Sequence, residues 1–333
     1  MSAASFTVTR NTRASRWGAV LGAALLVAGA TLPLWADASV MRLATEFACL
    51  LVLAQMWNLL AGYGGLMSVG QQGYLGIGGY SLFTLADYAG IDPFVCVLLG
   101  GLIAAAVSVP TAKLVFRLQG GHFAIGTWVV AEVFRLAVSN SAALGGGSGR
   151  SLQAMREIPR SVREPLTYWI ALAIATASLV GVYLLMRSRF GLALAALRDS
   201  EPAAESQGVN VKRTKFWVYL ASAFGCGVAG ALYFLGTLRI SPDAAFNVGW
   251  SAAIIFIVVI GGIGTIEGPI IGTLAYFLLR ETLSDYGTWY LIALGLVAIV
   301  AMVKYPKGLW GTLAERFDLH LFPVQRRVKN RQR

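Results

Sequence analysis

The residues of this chain that could do chemistry are ionisable side chains inside long apolar runs. Because a charged side chain is costly in a bilayer, such residues are functional candidates. Glu132 and Arg135 lie three positions apart and share a helix face. That spacing favours a mutually neutralised pair that fixes helix packing, and contact with a transported solute is the alternative. The two remaining candidates are Glu46 and Glu267.

A glycine-rich run at 64–83, GGLMSVGQQGYLGIGGYSLF, carries the other polar candidates. In one continuous helix Ser68 and Gln72 share a face, and the repeated glycines let a neighbouring helix approach closely. Gln71 and Gln72 need hydrogen-bond partners in lipid. The run is either a tightly packed helix with a polar seam or a loosened helix lining a polar path. In the second case at least one amide faces a subunit interface.

Enzyme chemistry is poorly supported by the sequence. No Lys is followed by Ser or Thr, so the chain lacks a P-loop, and a separate subunit must bind any ATP that drives it. His122 and His320 are the only histidines, which excludes a His-rich metal site. Ser148, in GGSGR, lacks the final glycine of a nucleophile elbow. We expect no catalytic residue, no metal, no cofactor and no nucleic-acid partner.

Composition indicates what kind of secondary structure positions these residues. Hydrophobic residues make up 57% of the 333-residue chain and charged residues 13%, with a mean hydropathy of +0.67. Many apolar runs reach the roughly 20 residues that a spanning helix needs. The absence of period-2 alternation argues against a β-barrel. The sequence therefore predicts an all-α polytopic membrane protein with one transmembrane domain over 1–333.

Apolar runs and helix breakers predict about ten spans, with a range of eight to ten. The first run follows three arginines and resembles a signal peptide, but its length favours a retained span. The eighth and ninth runs are short and form either two thin spans or a re-entrant pair. The predicted spans are 17–36, 42–61, 66–88, 93–117, 122–140, 166–186, 216–237, 248–263, 268–284 and 287–304.

The distribution of Lys and Arg predicts that both termini, the loop 188–215 and the basic tail 305–333 are cytoplasmic. The tail is a topology anchor or lies on anionic lipid. The loop 141–165 then falls outside although it is basic, so it has an external acidic partner or the topology is wrong there. Its candidate docking residues are Arg150, Arg156, Arg160 and Arg163.

The segment 190–215 predicts a short helix at the membrane surface. Asp199 or Ser200 can cap it, Pro202 suits its first turn, and Gly208 can end it in a left-handed conformation. Basic residues flank it on both sides. It is either a rigid knob on which a soluble motor pushes or an ordinary loop.

Several stretches resemble, in order, the permeases of branched-chain (hydrophobic) amino-acid uptake ABC importers, the LivM-type branch. They cover nearly the whole chain: NLLAGYGGLMSVGQQGYLGIGGY (58–80), GGHFAIGTWVVAEVFRL (120–136), GLALAALRDSEPAAESQGVNVKRTKF (191–216), GVAGALY (227–233), GGIGTIEGPIIGTL (261–274) and YPKGLWG (305–311).

The resemblance implies that 188–215 is the coupling loop, which docks on a cytoplasmic ATPase. Of the family pattern E-A-A-x-x-x-G, Ala203, Ala204 and Gly208 match, whereas Pro202 replaces the Glu and Glu201 lies one residue early. Arg198 belongs to the same implied coupling set. The candidate substrate-path set is Ser68, Gln71, Gln72, Glu132 and Arg135.

The family organisation further implies a heterodimer with a second permease, two ABC ATPases and a periplasmic binding protein in the inner membrane. Transport would proceed by alternating access, with no covalent step on this chain. Branched-chain or other small amino acids are the expected solutes, and urea, amides or other small solutes are the alternative. An ion-coupled secondary carrier and a structural membrane scaffold are the readings from other classes.

Overall fold

The computed structural model describes residues 6–9, 13–283, 289–317, 321–322 and 327–330. These residues form helices joined by short turns, which confirms the predicted all-α polytopic class. The bounds are α1 (Arg13–Thr31), α2 (Ala38–Trp57), α3 (Gln71–Ala89), α4 (Pro93–Val115), α5 (Gly121–Ser139), α6 (Arg160–Arg187), α7 (Arg189–Asp199), α8 (Glu201–Ser206), α9 (Val211–Thr237), α10 (Pro242–Ala245), α11 (Val248–Gly261), α12 (Glu267–Leu283), α13 (Trp289–Lys304), α14 (Gly308–Phe317), β1 (Phe6–Thr9), β2 (Arg150–Ser151), β3 (Arg239–Ile240) and β4 (Arg327–Asn330).

Every predicted span contains one helix, with ends shifted by a few residues. Seven helical segments of the described chain are long and apolar enough to cross a membrane. The helices α12 and α13, with 17 and 16 residues, are shorter than the usual span. Residues 284–288, at the ends of the last two predicted spans, lie outside the described residues. So do parts of the predicted basic tail, at 318–320, 323–326 and 331–333.

The third predicted span begins later than expected. Residues 64–70 are not helical, and α3 starts at Gln71. Gly65 has a φ of +69°, which lets the chain turn there. Ser68 therefore does not share a face of α3 with Gln72, and the expectation of one continuous helix from 66 was wrong.

The bundle has two ends, which fix where the candidate segments lie. The helix α6 has 28 residues and spans about 42 Å. It separates the loop 140–159 from the segment 188–210, and we call these the distal and the proximal end. At the distal end β2 pairs with β3, while β1 pairs with β4. The described parts of the two chain termini are thus adjacent.

The short helices α11 and α12 are antiparallel: α11 runs from the distal toward the proximal end of the bundle, and α12 runs back. Phe246, just before α11, stacks on Tyr80 near the distal end, with 6.0 Å between ring centroids. The turn after α11 lies at the proximal end, where Gly308 packs against Gly262. Arg280, near the end of α12, pairs with Glu46 in the first half of α2. This arrangement corresponds to the two-span alternative.

Glycines let α3, α4 and α9 approach closely at the centre of the bundle. A Cβ at Gly78 of α3 would lie 2.0 Å from the carbonyl oxygen of Gly227 on α9. A Cβ at Gly230 would lie 2.1 Å from the carbonyl oxygen of Leu75. Backbone atoms cannot yield as a flexible side chain can, so these positions require glycine.

We expect Gly230→Leu to destabilise the protein by about 1–3 kcal/mol or more, because overpacking forces two backbones apart. Gly236→Leu is the matched control on the same helix, since no atom lies within 4 Å of its Cβ position. Thermal unfolding and size-exclusion profiles in detergent measure the difference. Equal stability of the two variants would contradict the packing argument.

Candidate functional site

The predicted short helix of the 190–215 segment is α8, and it lies at the proximal end. The Ser200 hydroxyl caps it by accepting a hydrogen bond from the Ala203 N–H at 3.4 Å. Pro202 lies in its first turn. Gly208 follows with a φ of +83°, the left-handed conformation that the sequence predicts. The cap and turn predictions are therefore confirmed.

The helix α8 is attached to the bundle by one face only. Ala204 is 1% exposed, whereas Ala203 and Gly208 are exposed. The carboxylate of Glu201 contacts the ammonium of Lys215 on α9, which closes the segment on itself. A substitution at Ala204 therefore acts first on packing within the chain, and Ala203 is the cleaner probe of an outside partner.

A further helix, α7, precedes α8 and was not predicted. It buries Gly191, Leu194 and Leu197, and this three-residue spacing was the available signal. Arg198 at its end is exposed and extends to the turn after α11, where a Cβ at Gly264 would lie 2.4 Å from its Nη1.

Asn58 ties the same turn to α2, and the sequence analysis missed it. Its Oδ1 accepts from the Gly264 N–H at 2.8 Å, and its Nδ2 donates to the Thr265 carbonyl at 2.7 Å. The segment that carries α8 thus contacts the turn after α11 through Arg198, and Asn58 fastens that turn to the end of α2.

On α5, Glu132 and Arg135 form the expected pair but extend it to a third residue. Arg135 donates to Glu132 at 2.6 Å and to Asp243 of α10 at 2.8 Å. The side chains of Glu132, Arg135 and Asp243 are 42%, 29% and 78% exposed. Asp243 was missed, although Ser241-Pro242-Asp243 reads as a helix start.

The exposed side of α5 that carries this triad is otherwise apolar. Its exposed large residues are Ile125, Trp128, Val129, Val133 and Leu136. Glu132 lies near the middle of the 19-residue helix. A charged cluster at that depth is costly against lipid, so this face suits a protein partner or an aqueous path.

The candidate amides lie inside the chain. Ser68, Gln71 and Gln72 are each 1% exposed. Gln72 accepts from the Ser251 hydroxyl of α11, and Gln71 accepts from the Cys226 thiol at 3.3 Å. The expectation that one amide faces a subunit interface was wrong, because helices of the same chain cover both. The Nε2 of Gln71 has no hydrogen-bond partner among the described residues.

Ser68 holds the non-helical segment before α3. Its hydroxyl accepts from the Gly70 N–H at 3.2 Å, and its carbonyl accepts from the Trp57 indole N–H at 2.7 Å. Gly70 packs directly on the backbone of Thr127 in α5.

The two other intramembrane carboxylates have partners within the chain. Glu46 makes two hydrogen bonds, of 2.6 and 3.0 Å, with Arg280, a pairing that the sequence analysis missed. Glu267, at the start of α12, accepts from the Phe322 N–H at 2.9 Å. Both contacts join distant parts of the chain.

The four candidate docking arginines lie at the distal end but differ in availability. Arg150 is bound to Asp87 at 2.8 Å and lies over the Tyr88 ring, so its guanidinium holds the loop together. Of the four, Arg150 is therefore the least available to an outside partner. Arg160 pairs with Glu164 of the next turn at 2.6 Å. Arg156 is exposed and Arg163 is half-buried.

Most of the chain is similar to known membrane permeases. Residues 39–303 match the family model described as branched-chain amino acid transport system / permease component. No solved structure matches the chain.

Individual relatives extend this similarity. The high-affinity branched-chain amino acid transport system permease protein LivM of Escherichia coli is 28% identical, with 86% of this chain and 73% of that protein covered. The fructose import permease protein FruG of Bifidobacterium longum is 27% identical over 65% of this chain and 67% of its own length. The nucleoside ABC transporter permease protein NupC of Lactococcus lactis is 25% identical over 62% and 71%. This chain belongs to the family of branched-chain amino acid transport permease components and is a LivM-type, multi-pass membrane permease.

Proposed function

We propose that this chain is the permease subunit of an ATP-driven, binding-protein-dependent importer of branched-chain or other small amino acids. The observation that carries the proposal is α8, a small exposed helix at the proximal end that is tied to α9 by Glu201 and Lys215 and follows α7, whose Arg198 packs on the turn after α11. A docked ATPase could move such an element and the bundle with it. The LivM relative favours branched-chain amino acids over the fructose and nucleosides of other relatives.

The partners of this proposal are a second permease, two ATPases that hydrolyse ATP, and a periplasmic binding protein. Relatives named LivM and LivH support a pairing of two different permeases. The proximal end, with both termini, is cytoplasmic, so the distal end meets the binding protein. ATP-driven closure of the ATPases moves α8 and opens the two permeases alternately to each side.

The solute path of the proposal runs along α5. Glu132, Arg135 and Asp243 offer both charges to a zwitterion on a face that lipid would not tolerate. Ser68, Gln71 and Gln72 lie behind this face. There the Thr127 hydroxyl of α5 accepts a hydrogen bond from the Val69 N–H at 3.1 Å, and the Thr127 backbone packs on Gly70. The three polar residues support the path by holding the start of α3 in place, because Gln71 bonds to α9 and Gln72 to α11.

Uptake into proteoliposomes tests the function. The complex with its partner subunits and binding protein should take up labelled leucine, isoleucine or valine when ATP is supplied on the side of the membrane that carries the ATPase subunits. Competition by fructose, a nucleoside or urea instead of valine would name another solute class. Uptake without ATPase subunits that stops on adding a protonophore would replace the proposal by an ion-coupled carrier.

For orientation, we expect a cysteine at exposed Ser206 to react only from the cytoplasm and one at exposed Ser151 only from outside. The background lacks Cys49, Cys96 and Cys226, all buried. Labelling of intact cells with an impermeant thiol reagent measures this. External labelling at position 206 would contradict the proposed orientation.

For docking, we expect replacement of Arg156, Arg160 and Arg163 by Gln to weaken the apparent affinity for the loaded binding protein by about tenfold at low salt. The effect should shrink at high salt, because exposed charges are screened. Uptake at increasing binding-protein concentration measures it. The matched control replaces three basic residues at the proximal end: Arg189, Lys212 and Lys304. An unchanged concentration dependence at low salt removes this docking role.

A further inference from the structure

An apolar groove of about 560 Å³ lies between α2, α4, α6 and α9. Met56, Leu102, Leu185 and Trp217 contribute to its wall, one from each helix. Gly181 of α6 lies along it, and no atom is within 4 Å of its Cβ position. The groove is therefore open space on the outer surface of the bundle, shaped by small residues on α6.

The length of the groove matches one leaflet of a bilayer. On α9 it extends from Trp217 to Val228, a rise of about 16 Å. Half of the hydrocarbon core is about 15 Å thick. Trp217 is 48% exposed at the proximal end of the groove, and indole side chains favour the membrane–water interface. An acyl chain whose head group lies near Trp217 would fit this length.

Two basic side chains stand at the same end of the groove. Arg213 lies one turn before Trp217 on the same side of α9, and Lys113 lies about three turns beyond the groove residue Leu102 on the same side of α4. Both are exposed, and neither has an ion-pair partner among the described residues. The sequences of α4 and α9 contain no Asp or Glu. The charge at this end therefore complements an anion.

We propose that this groove binds an anionic phospholipid, with one acyl chain along α6 and α9 and the phosphate between Lys113 and Arg213. The helices α6 and α9 lead into and out of the segment that carries α7 and α8. A lipid in contact with both helices stiffens the base of that segment. The proposal goes beyond the proposed function, and its binding readout does not depend on the transported solute.

Quenching of Trp217 fluorescence by brominated lipids tests the proposal. The permease, assembled with its partner subunits, is reconstituted in mixtures of phosphatidylglycerol and phosphatidylcholine in which one of the two lipids is brominated. The Trp217→Phe variant isolates the signal of this indole from the other tryptophans. We expect phosphatidylglycerol to be preferred by about fivefold or more, the effect of one basic side chain beside an anionic lipid.

Two variants separate the head-group and acyl-chain parts of the site. K113Q/R213Q should remove the preference for phosphatidylglycerol, whereas the control K212Q/K304Q, with the same charge change, should keep it. Gly181→Phe should fill the groove and lower Trp217 quenching by both lipids. If K113Q/R213Q does not assemble, the wild-type preference must still fall between low and high salt.

Three outcomes overturn the proposal. Equal quenching by the two lipids in the wild type means ordinary boundary lipid without a site. A preference that K113Q/R213Q retains, or that salt does not change, means that the two basic residues do not bind the head group. Absence of any Trp217-dependent quenching in the intact complex means that another subunit covers the groove.

Discussion

Ala203→Arg is expected to abolish ATP-dependent uptake while the permease still inserts and folds. Ala203 is exposed on α8, so the arginine has room within the chain and should change stability by less than about 0.5 kcal/mol. In a socket on an ATPase the same arginine must lose its hydration and displace contacts. Uptake in proteoliposomes, with membrane abundance and thermal unfolding of the permease, measures the two effects separately.

The matched control for this change is Gln119→Arg, at an exposed position between α4 and α5, at the same end of the bundle and outside the loop 188–215. It adds the same side chain outside α8 and should leave most of the uptake. Normal uptake by Ala203→Arg at normal abundance would show that α8 is not the coupling element. Ala204→Arg is a weaker test, because Ala204 is buried and its replacement also disturbs packing. Gly208→Asp likewise adds backbone strain, since φ is +83° there.

The spans and the coupling helix were predictable because their signals are local. Apolar runs of spanning length identify helices without knowledge of their neighbours. The α8 cap needs only Ser200 and the Ala203 N–H, and its end needs only Gly208. The start of α3 was misplaced by five residues although Gly64 and Gly65 signalled a break. Because residues 66–70 are mostly apolar or small, they were assigned to the helix and the break was missed.

The polar contacts were not predictable because they join distant parts of the chain. Glu46 meets Arg280, and Gln72 meets Ser251, across 234 and 179 positions. A single sequence identifies a buried polar group that needs a partner, but not which helix supplies it. The interpretation of Glu132 and Arg135 as a local pair was correct in geometry and incomplete, because Asp243 lies 108 positions away.

The α5 triad gives the second large prediction. Replacing Glu132 and Arg135 together by Gln is expected to lower uptake about tenfold or more, the effect of losing a charge-assisted hydrogen bond to the solute. The double variant adds no net charge. Asp243 is left without Arg135 but is 78% exposed and remains hydrated. Thermal stability should therefore change little.

Single variants distinguish a solute contact from a packing pair. If the pair only fixes packing, Arg135→Gln alone should destabilise the permease, because it leaves Glu132 unpaired on α5, and the double variant should recover both stability and uptake. If the charges contact the solute, the double variant recovers stability but not uptake. Unfolding temperatures and initial uptake rates of the two single variants and the double variant complete the cycle. Full recovery of uptake in the double variant would reduce the triad to helix packing.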